Sequence, residues 1–212
     1  MKLAASLDGK TALLNGRSQW ITGEDARRDG HHWRARACAV LTGAGTVRED
    51  DPRLTVREVA TARQPLRVVV DSKLEISLTA RIMDGGALLV AAAREDRGKI
   101  VALKAKGVEV MVMPNSAGKV ELGGLFRELA RREINEVHVE AGYKLNGSLL
   151  EEGLVDELVV YLAPCLIGDA ARGMFNLPEL TDLSGRRTLN IQELRMVGAD
   201  IRIIARLVEP LT

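Results

Sequence analysis

The segment Val137-His138-Val139-Glu140-Ala141-Gly142-Tyr143-Lys144-Leu145-Asn146-Gly147-Ser148 decides how this chain is read. A short β-branched run ends on a carboxylate, a glycine follows, and a helical pattern begins. Val40-Leu41-Thr42-Gly43-Ala44-Gly45-Thr46-Val47 has the same shape about a hundred residues earlier. Working outward from these two, apolar runs of strand length recur at 37–41, 66–70, 87–91, 108–113, 136–139, 157–162 and 201–207. Helical patterns lie between several of them. Thr22 as N-cap with Asp25 three residues on predicts a helix to about Ala35. Residues 123–132, with Leu125, Phe126, Leu129 and Ala130 on one face, predict a second, and 146–152 a short third. Strands alternating with helices predict an α/β fold with a mostly parallel twisted sheet flanked by helices. The last third lacks a helical pattern, so a C-terminal antiparallel hairpin is expected to close one edge of that sheet. The polar stretch 57–64 and residues 114–119 read as surface connections. Neither is long enough for a domain boundary, and one domain over 1–212 is expected.

Composition narrows the function class by exclusion. With 46% hydrophobic and 28% charged residues and a net charge of +1, the 212-residue chain reads as globular, with no basic excess to attract nucleic acid or a membrane surface. Its longest apolar runs fall short of the ~18 residues that a spanning helix needs. A cytoplasmic protein is therefore expected. Cys38 and Cys165 both lie in apolar runs and form no C-x-x-C pair, so neither a zinc site nor a disulfide framework is expected. His31 and His32 are adjacent on the predicted first helix and point about 100° apart, which does not suit one metal. His138 has no ligand cluster around it. Met1 stands only a few residues before an Asp8-Gly9 turn, which fits either a domain cut from a longer polypeptide or a compact natural start.

Glycine after a strand lets backbone N–H groups approach a phosphate. The dinucleotide fingerprint is nevertheless absent, because Gly43-x-Gly45 is followed by Arg48 where the third glycine would fall. Two separated glycine segments instead fit a cofactor lying across the ends of one sheet. Glu140, closing an apolar strand, is costly without a partner and has two readings, a ligand contact or an ion pair. Arg34 shares its helix with Arg27, Arg28 and Arg36, so a solvated face competes with an anion-binding role.

Eight short motifs occur in one order: Ser-Leu-Asp-Gly at 6–9, Gln-Trp-Ile-Thr at 19–22, Gly-x-x-Thr at 43–46, Asp-Pro-x-Leu-Thr at 51–55, Val-Asp-Ser at 70–72, Val-Glu-Ala-Gly at 139–142, Gly-Leu-Val-Asp-Glu at 153–157 and Ala-Pro-x-Leu-x-Gly at 163–168. The set resembles the reductase domain of the bifunctional deaminase/reductase of riboflavin biosynthesis, within the dihydrofolate-reductase-like superfamily. The resemblance runs from residue 2 to about residue 205. It implies NADPH-dependent reduction of 5-amino-6-(5-phosphoribosylamino)uracil to its ribitylamino counterpart. It implies a substrate clamp of Ser18, Arg34, Arg57 and the backbone of Leu54, with Glu140 on the ribityl hydroxyls. It places Ala4, Trp20, Thr46, Asp50, Ser72, Gly142, Tyr143, Lys144, Leu145, Asn146, Gly147 and Ser148 around NADPH. Trp20 is either a lid or a core residue. Asp50 either relays the proton that accompanies the hydride or hydrogen-bonds the cofactor. Ser72 with Lys73 would meet the adenosine 2′-phosphate. A homodimer is implied, as is a fused deaminase domain in a longer protein. This chain itself has neither H-x-E nor P-C-x-x-C, so it has no thiolate pair for a deaminase zinc. Two alternatives are a pterin reductase of the same superfamily and a non-catalytic nucleotide-binding module. The first calls for a carboxylate on an early helix and no arginine clamp, and the second for loss of the substrate arginines.

Overall fold

The computed structural model describes residues 1–208. The chain forms two compact units: Met1–Gly30 with Tyr143–Thr212, and His31–Gly142. Their boundary falls inside helix α1 (Glu24–Arg36).

The unit His31–Gly142 is built on five parallel strands. They are β3 (Ala39–Gly43), β4 (Leu66–Val70), β5 (Leu88–Ala92), β6 (Glu109–Val112) and β7 (Val137–Val139), in the order β6-β5-β4-β3-β7. Strands buried on both faces lose the alternation of polar and apolar residues, and β5 is buried at every position. Helices α2 (Ala44–Asp50), α3 (Arg97–Ala105) and α4 (Leu122–Arg131) lie on the connections. Asp96 starts α3 by accepting the Lys99 N–H at 2.9 Å. Leu122, Leu125 and Leu129 give α4 one buried stripe. Val40, Val69, Ile82, Leu89, Val90 and Leu103 are fully buried in this unit. From β3 the chain steps outward through β4, β5 and β6, then returns so that β7 pairs with the other side of β3. The carboxyl ends of β3 and β7 therefore flank a reversal of strand order, where ligand crevices of α/β sheets form.

In the other unit, β1 (Lys2–Ser6) runs parallel to β8 (Glu157–Ala163), and β11 (Asp200–Leu207) and β10 (Leu189–Val197) add antiparallel, in the order β1-β8-β11-β10. A second sheet pairs β2 (Lys10–Ala12) with β9 (Arg172–Gly173), and α5 spans Tyr143–Glu151. The Asp8-Gly9 turn, with Gly9 at φ +75°, is tied to residues 160 positions away: the Asp8 carboxylate accepts N–H groups of Ile167 and Gly168. The Ser6 hydroxyl and the Gly168 N–H hold its pKa down to about 2. Two of the sequence motifs thus form one joint.

Several sequence expectations are corrected here. The C-terminal hairpin exists, but it edges the sheet of β1 and β8 rather than the parallel sheet. Its strand β10 escapes a pattern search because a bulge between Ile191 and Glu193 breaks the period of two. Helix α2 continues the helix start expected after Gly43, whereas α3 falls where the sequence pattern predicts only a connection. The capping place read for Thr22 belongs to Gly23, whose carbonyl accepts the Arg27 N–H while its own N–H donates to Asp200 at 2.7 Å.

Candidate active site

The carboxyl ends of β3 and β7 bring the two glycine segments together. A Cβ added to Gly142 would lie 3.6 Å from the Thr46 hydroxyl, so Thr46, after β3, and Gly142, after β7, are neighbours. Glu140 is fixed by its N–H, which donates to the Leu41 carbonyl at 2.9 Å and continues the β3–β7 ladder by one residue. Its side chain meets Arg34, in the last turn of α1, in a two-armed pair: Nε to Oε1 at 2.5 Å and Nη2 to Oε2 at 2.8 Å. Both side chains are 15% exposed. Burial pushes the Glu140 carboxyl up, but the Arg34 guanidinium more than reverses this and holds it well below the usual carboxylate range. The His138 ring stands 3.4 Å from the same carboxylate, and its burial keeps the imidazole pKa low.

Arg34 also reaches sideways, Nη1 donating to the Thr55 carbonyl at 3.2 Å. Arg57 turns back to Thr55 too, with Nη1 3.0 Å from its hydroxyl. Two guanidinium groups thus gather on one residue. Arg34 is neutralised by Glu140, whereas Arg57 makes no ion pair with a described residue. Burial, then the charge of Arg34, push the Arg57 pKa down, and Arg53 and Arg81 add to this. Such a spot lowers its electrostatic energy by taking an anion, and the guanidinium fork matches a phosphate.

The segment carrying these groups has no regular secondary structure, yet side chains hold it at several points. Leu54 is buried at φ +56°, a left-handed conformation unusual for a branched residue. The Gln64 amide accepts the Val56 N–H and donates to the Val56 carbonyl at 2.8 and 3.0 Å. His31 Nδ1 accepts the Arg57 N–H at 3.2 Å. Arg67, 1% exposed on β4, donates to the carbonyls of Ile82, Asp84 and Gly86 and reaches Arg53 at 3.5 Å. Although the Arg67 Nε is buried without a partner among the described residues, the other contacts hold the segment at several points. His31, Thr55, Gln64 and Arg67 were missed in the sequence as parts of this region. The connection 57–64 reads as plain polar surface, and His31 offers only a helix position one residue from an exposed histidine.

The remaining sequence candidates are placed as follows. In the unit His31–Gly142, Asp50 ends α2, and the next residue, Asp51, takes φ +41° and accepts the Arg81 N–H. The Ser72 hydroxyl accepts the Val120 N–H at 3.1 Å, while Lys73 is exposed 3.9 Å from Glu75. In the other unit, Ala4 lies in β1, and Ser18 and Trp20 lie between β2 and α1. Trp20 is 70% exposed, with Arg27 over its ring at 4.7 Å, which removes the core reading. The helix expected over 146–152 starts earlier: α5 begins at Tyr143, so Tyr143, Lys144, Leu145, Asn146, Gly147 and Ser148 are all helical. Asn146 is buried and donates to the Met174 carbonyl. A Cβ on Gly147 would fall 2.0 Å from the Asn176 carbonyl oxygen. Gly147 therefore admits a close backbone approach, which is a packing role.

Comparison with known proteins supplies the family. Residues 1–203 match the family model described as the RibD C-terminal domain. The chain is 41% identical to the riboflavin biosynthesis protein RibD of Escherichia coli over 95% of its own length and 57% of the relative's. It therefore spans a little over half of that protein. Among solved structures, Acinetobacter baumannii RibD superposes with a TM-score of 0.88 at 34% identity, covering 98% of this chain and 57% of that one. A Thermotoga maritima diaminohydroxyphosphoribosylaminopyrimidine deaminase/5-amino-6-(5-phosphoribosylamino)uracil reductase gives 0.80 at 27% identity, covering 98% and 55%. The α/β fold, dihydrofolate-reductase-like as the resemblance implied, is shared with these proteins. With the motifs in order and the family model matched over nearly the whole length, the chain belongs to the RibD C-terminal domain family.

Proposed function

We propose that this chain reduces 5-amino-6-(5-phosphoribosylamino)uracil to 5-amino-6-(5-phosphoribitylamino)uracil with NADPH as the hydride donor. The observation that carries the reading is the gathering of Arg34, Arg57 and Thr55 beside Glu140 at the carboxyl ends of β3 and β7. A ribose phosphate needs a cationic clamp and hydroxyl acceptors, and both chemistries lie on one edge of one sheet. A pterin carries no phosphate to use Arg57.

The residues present fit a nicotinamide dinucleotide. Gly142 is exposed beside Thr46, and a Cβ at Gly45 would meet nothing within 4 Å, so this backbone is open to close approach. When bound, the cofactor supplies the hydride that turns the ring-opened imine carbon C1′ into the ribityl CH2. Arg57 and the Leu54 backbone hold the substrate's phosphate end, and Glu140 accepts from its hydroxyls while Arg34 fixes the carboxylate's direction; Ser18, in the other unit, keeps the role the resemblance implies. Asp50 either relays the proton due at the imine nitrogen or hydrogen-bonds the cofactor. Thr46, Ser72 and Gly142 are assigned to the cofactor in one unit. In the other unit, Ala4, Trp20 and residues 143–148 keep the role the resemblance implies.

The reductase domain comprises 1–212, works in the cytoplasm beside a deaminase domain of a longer polypeptide, and pairs as a homodimer. In support of pairing, Leu189, Ile191, Leu194 and Met196 expose 43%, 58%, 62% and 59% of their surface on the edge strand β10. No helix among the described residues is long and apolar enough to cross a membrane. The deciding experiment follows NADPH oxidation with the phosphoribosylaminouracil and, in parallel, with dihydrofolate. Turnover of the first alone is expected. Turnover of dihydrofolate, or of neither, refutes the proposal.

A further inference from the structure

His31 belongs to no part of the reaction described so far. Its ring is 6% exposed, and its Nδ1 faces the Arg57 N–H at 3.2 Å. An acceptor there must carry a lone pair, so the ring is neutral with its proton on Nε2, pointing to Glu58 Oε1 at 3.7 Å. Four charged groups surround it: Arg34 on the same helix, Arg57 and Glu58 on the connection after α2, and Glu140 after β7. Burial, then the charge of Arg34, hold the imidazole down to about 4, against the pull of Glu58. A neutral acceptor is thereby maintained in a cationic spot where a protonated ring would repel the arginines.

We propose that His31 is the positioning residue of the anion clamp, its Nδ1 fixing the Arg57 backbone so that the guanidinium is presented to the substrate's phosphate. This rests on the reading that Arg57 binds that phosphate. No other side chain in the described residues holds the Arg57 N–H, whereas Val56 is held on both sides by Gln64. Without His31 the segment would remain anchored through Val56, and the Arg57 backbone would be released. The effect should therefore fall on substrate binding, with the fold left in place.

The test uses the full chain with His31→Asn, His31→Gln and His31→Leu, each alone and with Arg57→Ala. Asparagine places its amide oxygen where Nδ1 stands, and glutamine reaches the place of Nε2. His31→Gln and His31→Leu are expected to raise the substrate KM roughly 3- to 10-fold, the worth of one positional hydrogen bond, with kcat nearly constant. His31→Asn should stay near the parent, and in the Arg57→Ala background no His31 variant should raise KM further. If His31→Leu does not fold, the contrast between asparagine and glutamine decides. An unchanged KM in His31→Gln, or the same rise without Arg57, overturns the proposal. If Arg57→Ala itself leaves KM unchanged, the clamp assignment falls and takes this inference with it. If Arg57→Ala raises KM and the His31 variants do not, only the role of His31 is lost.

Discussion

Replacing Glu140 by glutamine separates the two roles that its position allows. In the structure the carboxylate accepts both arms of Arg34, at 2.5 and 2.8 Å, with each side chain 15% exposed. Glutamine keeps the shape and one acceptor, but turns an NH2 towards the second arm and leaves the guanidinium without its counter-charge. Breaking a buried pair from one side costs about 3–5 kcal/mol, and the retained acceptor puts Glu140→Gln near about 3. For a domain of this size that is roughly a 6–12 °C fall in Tm. Thermal melts of Glu140→Gln, Arg34→Met and the double variant should show a coupling of at least about 1 kcal/mol, because the double variant buries no lone charge. A fall below about 2 °C, or strict additivity, refutes the energetic reading. Single-turnover hydride transfer on the same preparation addresses the substrate role. Mismatched ribityl hydroxyls should slow it by about ten- to a hundredfold. A destabilised but fully active variant would leave the ion pair standing and remove Glu140 from substrate binding.

Arg57→Ala should raise the substrate KM by about 10- to 100-fold while NADPH binding, measured by fluorescence titration, stays within error, since a charge-assisted phosphate contact is worth about 1.5–3 kcal/mol. Equal loss of both ligands would place the arginine elsewhere. Gly147→Ala should destabilise the protein by at least about 2 kcal/mol in urea unfolding, because the new methyl would meet the backbone at Asn176, and an unperturbed midpoint would contradict that approach. The folded-state pKa of His31, about 4, lies below the 6.5 of an unfolded histidine. Between those values the unfolded chain binds a proton that the folded chain refuses, so stability should fall as pH drops from about 6.5 to about 4, by up to about 1.4 kcal/mol per pH unit. His31→Asn should make the slope shallower, with the remainder carried by His138, which is shifted in the same direction, and towards the acid end by carboxylates held low in the fold, such as Glu140. An identical slope in that variant would rule out His31 as its source.

Much of the fold is legible along the chain. Strand β4 occupies 66–70 as read, because a short β-branched run closed by polar residues has few other uses. Strand β10 is not legible, because its bulge changes the phase of the alternation and its apolar side chains face outward. Helix α3 was hidden by its glycine and its short length, although Asp96 stood ready to cap it. For the site, residue types and motif order were enough to single out Arg34, Arg57 and Glu140. They did not reveal that Arg34 and Glu140, 106 residues apart, hold one another, or that a histidine set aside as a metal ligand receives the Arg57 N–H. Those facts depend on β7 pairing with β3 and on where α1 ends relative to both. Periodicity and propensity act over a few neighbouring residues, so the sequence by itself determined the elements with an unbroken pattern, such as β4 and α4. Which guanidinium meets which carboxylate is a matter of strand order, set by burial of the whole sheet, and only the tertiary structure decided it.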